Sequence, residues 1–199
     1  MSSKEAIVAP AAKAGMLRGF AEALRREGLY ERVRAKVPPA VAAMLDNPPP
    51  ASVWIENSQV EPIHIAIAEI AGLEGVRRIS RAAVTLGLFP FAKIVIDGFL
   101  RLFGATPHTL LSRIGELSKT STRGIEYEYV RTSERTASLL ARYPAQANVP
   151  ISVFSVAAGG FESMIEATGA KGTVSEPHIV QDGRNNSAWF EIEWTPRRG

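Results

Sequence analysis

The sequence predicts an α+β protein in which an N-terminal helical part precedes a four-stranded antiparallel sheet with one packed helix. Three observations predict this class. Up to about residue 120, apolar residues recur every three or four positions, which is the spacing of one helix face. From residue 121 the period changes to two, as in strands with one buried face. One helical run then separates the strands into two pairs, giving the order ββαββ.

Length and composition limit the class of protein. At 199 residues we expect a single domain, 1–199, with a helical part at 1–120 and the ββαββ part at 121–199. The chain has no cysteine, which excludes disulfides, thiolate metal sites and a cysteine nucleophile. The net charge of +3 comes from scattered basic residues, so no nucleic-acid interface is expected. No apolar run reaches the ~20 residues of a membrane span, and we expect a cytoplasmic protein.

The first helices follow from apolar spacing. Leu17, Phe20 and Leu24 share one stripe of a helix that ends near residue 27. Gly28 occupies the position where a glycine commonly terminates a helix. Two shorter helical segments, 29–36 and 40–45, precede a proline-rich connector.

A second group of helices begins after this connector. Ser58 and Glu61 have the spacing of a capping box, which places Pro62 in the first turn. Gly72 and Gly75 bracket a predicted corner, and another helix follows it.

The most apolar helix of the chain is predicted at 92–103, where Gly104 ends it. Thr106 then provides an N-cap, and Pro107 stands at the first helical position. This cap opens a helix that extends to about Leu117, which brings the helical part to about six helices.

The sheet is predicted from alternation. Phe190, Ile192 and Trp194 alternate with Trp189, Glu191 and Glu193, so that strand has one buried face. The same period identifies the other strands, and the four segments are 124–131, 137–143, 172–181 and 187–194.

The helix between the strand pairs, at 150–168, contains Gly159 and Gly160 in its middle. Glycine inside a helix costs roughly 1 kcal/mol relative to alanine. We expect this cost to be offset by a close approach of the helix to the sheet.

Two stretches resemble a known superfamily. The segment Leu110-Leu-Ser-Arg-Ile-Gly-Glu-Leu-Ser118 is similar to the helix that carries the haem-ligating histidine in haem-NO/oxygen-binding (H-NOX) sensor domains. The segment Tyr129-Val-Arg-Thr-Ser-Glu-Arg135 resembles the Tyr-x-Ser-x-Arg turn that holds the haem propionates there. The order of elements is similar to that of the superfamily joining H-NOX, 4-vinyl-reductase and TRAPP-subunit domains. An uncharacterised paralogous family of this length, common in myxobacteria, has the same C-terminal pattern.

The departures from that pattern are informative. Ser118 stands at the histidine position and cannot supply an axial nitrogen to haem iron. Arg131 replaces the tyrosine of the motif, and only Ser133 and Arg135 match. We therefore expect no haem bound as in H-NOX domains, and no other cofactor. A chain without cysteine also cannot build the cysteine-containing metal site of many 4-vinyl-reductase domains.

Candidate ligand-binding residues come from an aromatic cluster in the helical part. These aromatic side chains form either a filled core or a pocket for a small apolar ligand. Arg135 is added because it matches the propionate-binding motif. The full predicted set is Trp54, Phe89, Phe91, Phe99, Phe103 and Arg135.

The histidines do not indicate a metal site. His64, His108 and His178 are far apart in the sequence, so no two of them form a local ligand pair. His64 is interpreted as a core-edge or surface residue, His108 as a capping or solvated residue, and His178 as a strand residue.

Acid–base chemistry is not indicated either. Glu126 and Glu128 share a strand face with cross-strand partners such as Arg142, which is typical of a solvated sheet. The chain has no nucleophile elbow of the G-x-S-x-G type. We therefore expect a protein that is not an enzyme.

Three functional hypotheses remain. The resemblance implies a sensory or ligand-binding domain that takes a small apolar ligand between the helices and the sheet. The alternative is a homodimeric interaction or scaffold module with a filled core and a partner protein. A third is a haem or tetrapyrrole binder that uses His64 or His108 as the ligand.

Overall fold

The α+β class is confirmed by the structure, a computed structural model that describes residues 9–87, 106–180 and 186–195. Within these ranges the chain forms seven α-helices and two antiparallel sheets. The predicted helix at 92–103 lies outside the described residues. No helix in the described ranges has the length and apolar character needed to cross a membrane.

The elements are numbered in chain order. The helices are α1 (Ala14–Arg26), α2 (Tyr30–Lys36), α3 (Pro39–Asp46), α4 (Asn57–Gly87), α5 (Pro107–Leu111), α6 (Ile114–Leu117) and α7 (Ile151–Ala167). The strands are β1 (Ala11–Lys13), β2 (Trp54–Glu56), β3 (Thr122–Arg123), β4 (Glu126–Arg131), β5 (Thr136–Arg142), β6 (Lys171–Val174), β7 (His178–Ile179) and β8 (Ser187–Thr195).

The main sheet has the order β4–β5–β8–β6, and β7 also pairs with β8. All these pairs are antiparallel, as predicted. The predicted strand 172–181 is instead two short strands, so the sheet has five strands rather than four. Pro177 lies between them, and proline has no N–H to donate to a neighbouring strand.

One face of the main sheet packs on α7. The side chains of Phe190, Ile192 and Trp194 are buried and Glu191 and Glu193 are exposed, which confirms the predicted alternation of β8. On the helix side, this core contains Phe154, Phe161 and Ile165. Fully burying an apolar side chain of this size contributes about 1.5–3 kcal/mol.

A second core lies among α1, α3 and α4, where Leu24, Leu45 and Ile79 are fully buried. Gly28 ends α1 as predicted, with φ +68°. Its N–H donates to Arg25 O at 3.1 Å, and the Leu29 N–H donates to Leu24 O at 2.9 Å. These two bonds form a Schellman motif, which requires the left-handed conformation that glycine adopts freely.

Helix α4 begins differently from the prediction. The Glu56 N–H donates to the Gln59 side chain at 3.3 Å, and the helix starts at Asn57. The capping box predicted at Ser58 is therefore wrong, and Pro62 lies in the second turn. The predicted corner is confirmed at Gly72, where φ is +71° and the helix kinks.

Helices α4 and α7 cross at Gly159. A Cβ atom at this position would lie 2.3 Å from Arg77 O and 2.9 Å from Ser80 Cβ. The prediction that this glycine approaches the sheet is wrong, since the atoms it meets all belong to α4. A Cβ atom added at Gly160 would have Val84 Cγ2 as its nearest neighbour, at 3.9 Å, which is ordinary contact.

A buried ion pair lies beside this crossing. Arg77 Nε donates to Glu162 Oε1 at 2.9 Å, and the two side chains are only 12% and 9% exposed. Arg77 Nη2 also donates to the Val174 carbonyl of β6. The pair therefore links α4, α7 and the main sheet.

Replacing Glu162 with glutamine is expected to lower the free energy of unfolding by about 3 kcal/mol, because the buried Arg77 charge then keeps only the exposed Glu176 carboxylate, 3.8 Å from its Nη1. Chemical denaturation measures this loss. Glu166→Gln is the control: Glu166 lies 3.5 Å from Arg81, but the two side chains are 50% and 42% exposed. Its removal is expected to cost less than about 1 kcal/mol. Equal losses in both variants would contradict the importance of this buried pair.

A small second sheet, β2–β1–β3, was not predicted. Ala12 of β1 pairs with Ile55 on one side and Thr122 on the other. This sheet joins the start of α1 to the chain that enters β4, and Ala12, Ile55 and Thr122 of it line the cavity described next.

Candidate ligand-binding cavity

A cavity of about 520 Å³ lies between the helical part and α7, and Tyr127 of β4 brings the main sheet to its described lining. Its walls come from α1, α4, the segment from α5 to β3, and the inner face of α7. The large apolar side chains on its lining include Met16, Leu17, Phe20, Ile63, Leu110, Ile114, Phe161 and Met164. This volume is within the roughly 300–1,000 Å³ of small-molecule sites.

Small residues account for part of this space. Gly15, Gly87, Ala157 and Gly160 all line the cavity. None of them places a large side chain between the surrounding helices. Gly160 is the most informative of the four, since a Cβ atom added there makes only an ordinary contact with the described residues.

His64 is a polar group on this largely apolar lining. It is 8% exposed, and its ring lies tilted against Phe20 with centroids 5.0 Å apart. Its Nδ1 has no hydrogen-bond partner among the described residues. Burial lowers the pKa of His64 to about 4, so the imidazole is neutral at pH 7.

The other titratable lining groups are also uncharged at pH 7, with one exception. Burial raises the pKa of Tyr127 to about 12 and raises that of Tyr143 further. Lys13 is the single cationic residue on the described lining. Its Nζ donates to Ser52 O at 2.7 Å and lies 4.2 Å from the centre of the Trp54 ring. These surroundings favour an uncharged ligand.

The structure separates the predicted site residues. Trp54 lies in β2 between Lys13 and Arg123, whose guanidinium is 5.0 Å from the ring centre. Trp54 is not among the described residues that line the cavity. The four predicted phenylalanines lie outside the described residues and stay a prediction: Phe89, Phe91, Phe99 and Phe103.

Arg135 lines a second depression, of about 650 Å³, together with Arg131 and His108. His108 Nδ1 bonds to the Tyr129 hydroxyl, and its Nε2 lies 2.9 Å from both Ser133 O and Glu134 O. Two carbonyl acceptors require the proton on Nε2. Both ring nitrogens are thus used to fix the β4–β5 turn, and neither is free to bind a ligand.

Ser118 does line the cavity. It opens a short 3₁₀ segment after α6, so the predicted single helix up to Leu117 is two short helices followed by this segment. Its hydroxyl donates to Gly115 O at 3.5 Å.

His64, interpreted from the sequence as a core-edge or surface residue, is buried and lies on the cavity lining. The sequence signal for its burial was its position beside Ile63 on a helix with a buried face.

The carboxylates of β4 are placed as predicted, since Glu126 and Glu128 are exposed and lie 3.8 and 3.9 Å from Arg142. Among the described residues, no group of three potential ligands could hold a metal.

Acid should destabilise the protein through His64. The folded state keeps this pKa near 4, below the ordinary 6.5, so the unfolded chain takes up the proton first. The stabilising contribution is complete above pH 6.5 and is lost as the pH falls to 4, about 3 kcal/mol in all. The free energy of unfolding of the wild type and of His64→Phe is measured by chemical denaturation between pH 7 and 4. The loss that the wild type shows in excess of the variant is the contribution of His64. Parallel pH profiles for the two proteins would show that this pKa is not lowered.

No protein-family model and no curated protein matches the sequence. Solved structures of H-NOX domains do match the fold. An Fe(II) unliganded H-NOX protein from K. algicida has a TM-score of 0.67 at 9% identity, covering 94% of this chain and 98% of that one. An oxygen-binding H-NOX domain related to soluble guanylate cyclases has a TM-score of 0.60 at 14% identity, covering 94% and 97%. The chain therefore has the fold of these domains.

A haem does not fit the described residues in the way that the resemblance implies. Ser118 offers a hydroxyl where the motif has a histidine, and Arg135 lines the second depression rather than the cavity. Lys13 is the one cation on the described lining, whereas haem carries two propionates. His64 and His108 are the two histidines considered as haem ligands. Both ring nitrogens of His108 are engaged in hydrogen bonds, so His64 is the one that remains.

Proposed function

We propose that this protein is a non-enzymatic sensory domain that binds a small, uncharged apolar ligand in the cavity between its helices and its main sheet. The observation that carries the proposal is the cavity itself, about 520 Å³ in volume and lined mostly by apolar side chains. Burying an apolar molecule there is favourable by roughly 25 cal/mol per Å² of surface removed from water.

The position of the cavity supports a sensing role. Its walls belong to both halves of the fold, because α1 and α4 form one side and α7 with the start of β4 forms another. A ligand in this position contacts both halves at once. It can therefore favour one relative arrangement of the two halves, provided that it binds that arrangement more tightly.

Native mass spectrometry of the freshly purified protein tests the proposal. We expect an additional mass of a few hundred daltons that is lost on denaturation, and organic extraction identifies it. A ligand at a hundredfold excess over its Kd should also raise the free energy of unfolding by about 2.7 kcal/mol.

The other hypotheses predict different results. A bare dimer whose melting temperature depends on protein concentration would favour the scaffold module over the proposal. A Soret band after incubation with haemin, lost in His64→Phe, would replace the proposal with a tetrapyrrole binder.

A further inference from the structure

His64 brings an unpaired polar atom to the cavity wall. The residue is only 8% exposed, and its Nδ1 is enclosed without a partner among the described residues. Buried polar atoms in folded proteins are nearly always hydrogen-bonded. An atom enclosed in this way is not reached by a ligand, so a ligand in the cavity has to meet the other ring nitrogen, Nε2.

The position of the ring proton decides what Nε2 offers to a ligand. A neutral imidazole has one N–H and one lone pair, and an orphaned buried N–H is rarer than an unpaired acceptor. The enclosed Nδ1 thus keeps the lone pair, and the proton lies on Nε2. Since the ring lines the cavity and Nδ1 is enclosed, the edge left to face a ligand carries an N–H donor.

The neighbourhood of His64 restricts the rest of the ligand. Phe20 lies against the ring, and Val60 and Ile63 of the same helix also line the cavity. Lys13 already donates to a backbone carbonyl. The His64 imidazole is uncharged, so a charged oxygen beside it would be buried against a neutral donor, which is costly, whereas a neutral oxygen would need only the imidazole N–H.

We propose that the ligand is an uncharged apolar molecule with one acceptor oxygen, a carbonyl or a hydroxyl, that accepts a hydrogen bond from the His64 imidazole. This inference rests on the proposed function, because it names the chemical class that the same cavity selects. His64 acts here as a specificity residue.

Two isosteric probes test the inference: 1-acetylnaphthalene and 1-isopropenylnaphthalene, which differ in C=O against C=CH₂. Their Kd values are measured with wild type, His64→Phe and His64→Gln by NMR titration of the methionine methyl groups. We expect the wild type to prefer the ketone by about tenfold, because the alkene leaves the buried N–H unpaired. His64→Gln keeps a donor and should keep part of this preference, and His64→Phe should prefer the alkene.

The outcomes separate the inference from the proposed function. If both probes bind and their Kd ratio is the same in wild type and His64→Phe, the hydrogen bond is refuted while the apolar cavity stands. If neither probe binds the wild type, the proposed function and the inference both fail. The wild type alone can also refute the inference. This happens if the ratio of its two Kd values equals the ratio of the water–octanol partition coefficients of the two probes.

Discussion

Gly159→Leu is expected to abolish folding. Even a Cβ atom at this position would lie 2.3 Å from the Arg77 carbonyl oxygen, so any side chain would force α4 and α7 apart. That separation would also break the buried ion pair of Arg77 and Glu162. Typical domains have only about 5–15 kcal/mol of stability, and the combined loss should consume it.

Circular dichroism and thermal denaturation measure the effect. Gly160→Ala is the matched control, because it changes the next residue of the same helix where the added Cβ meets Val84 Cγ2 at 3.9 Å. This control should be more stable than the wild type by about 0.5–1 kcal/mol, the difference in helix propensity. A cooperatively folded Gly159→Leu protein would show that the two helices do not cross as closely as described.

Gly160→Leu is expected to fold and to lose the ligand. A Cβ atom meets only ordinary contact there among the described residues, and Gly160 lines the cavity. The leucine would take up space that the ligand needs, and such a clash should weaken binding by about a hundredfold or more. Helix propensity and cavity filling should together stabilise the folded protein by about 1 kcal/mol or more.

Fluorescence titration with 1-methylnaphthalene measures this loss of affinity. Ile151→Trp is the control for added bulk on the same helix, because Ile151 is exposed and lies outside the cavity lining. It should bind the probe as the wild type does. Undiminished binding by Gly160→Leu would place the ligand elsewhere.

Long periodic elements were predictable from the sequence. The burial of β8 followed from nine residues that alternate in polarity, and Gly28 identified the end of α1. Elements of two or three residues carry no such period, which is why β1, β2 and β3 were missed. The split of one strand into β6 and β7 follows from Pro177, which interrupts the predicted strand 172–181.

Tertiary placement was harder to predict. The Gly159–Gly160 pair correctly indicated a close approach, but a sequence does not state whether the neighbour is a helix or a sheet. Ser58 and Glu61 have the residue types and the spacing of a capping box. The helix nevertheless starts at Asn57, where the Gln59 side chain accepts from the Glu56 N–H. For the site, aromatic composition selected Trp54, which is not on the described lining, and four phenylalanines that lie outside the described residues. The described lining instead depends on aliphatic side chains, small residues and His64, which only the packing brings together.

The methionine methyl groups give the most direct test of the cavity. Met16 and Met164 line it, whereas Met44 packs in the second core and is not on the lining. The protein is labelled with ¹³C at the methionine methyls and titrated with 1-methylnaphthalene. We expect saturable shifts of the Met16 and Met164 signals with an unchanged Met44 signal. Equal shifts of all three signals, or no shift up to the solubility limit of the probe, would contradict a ligand-binding cavity at this place.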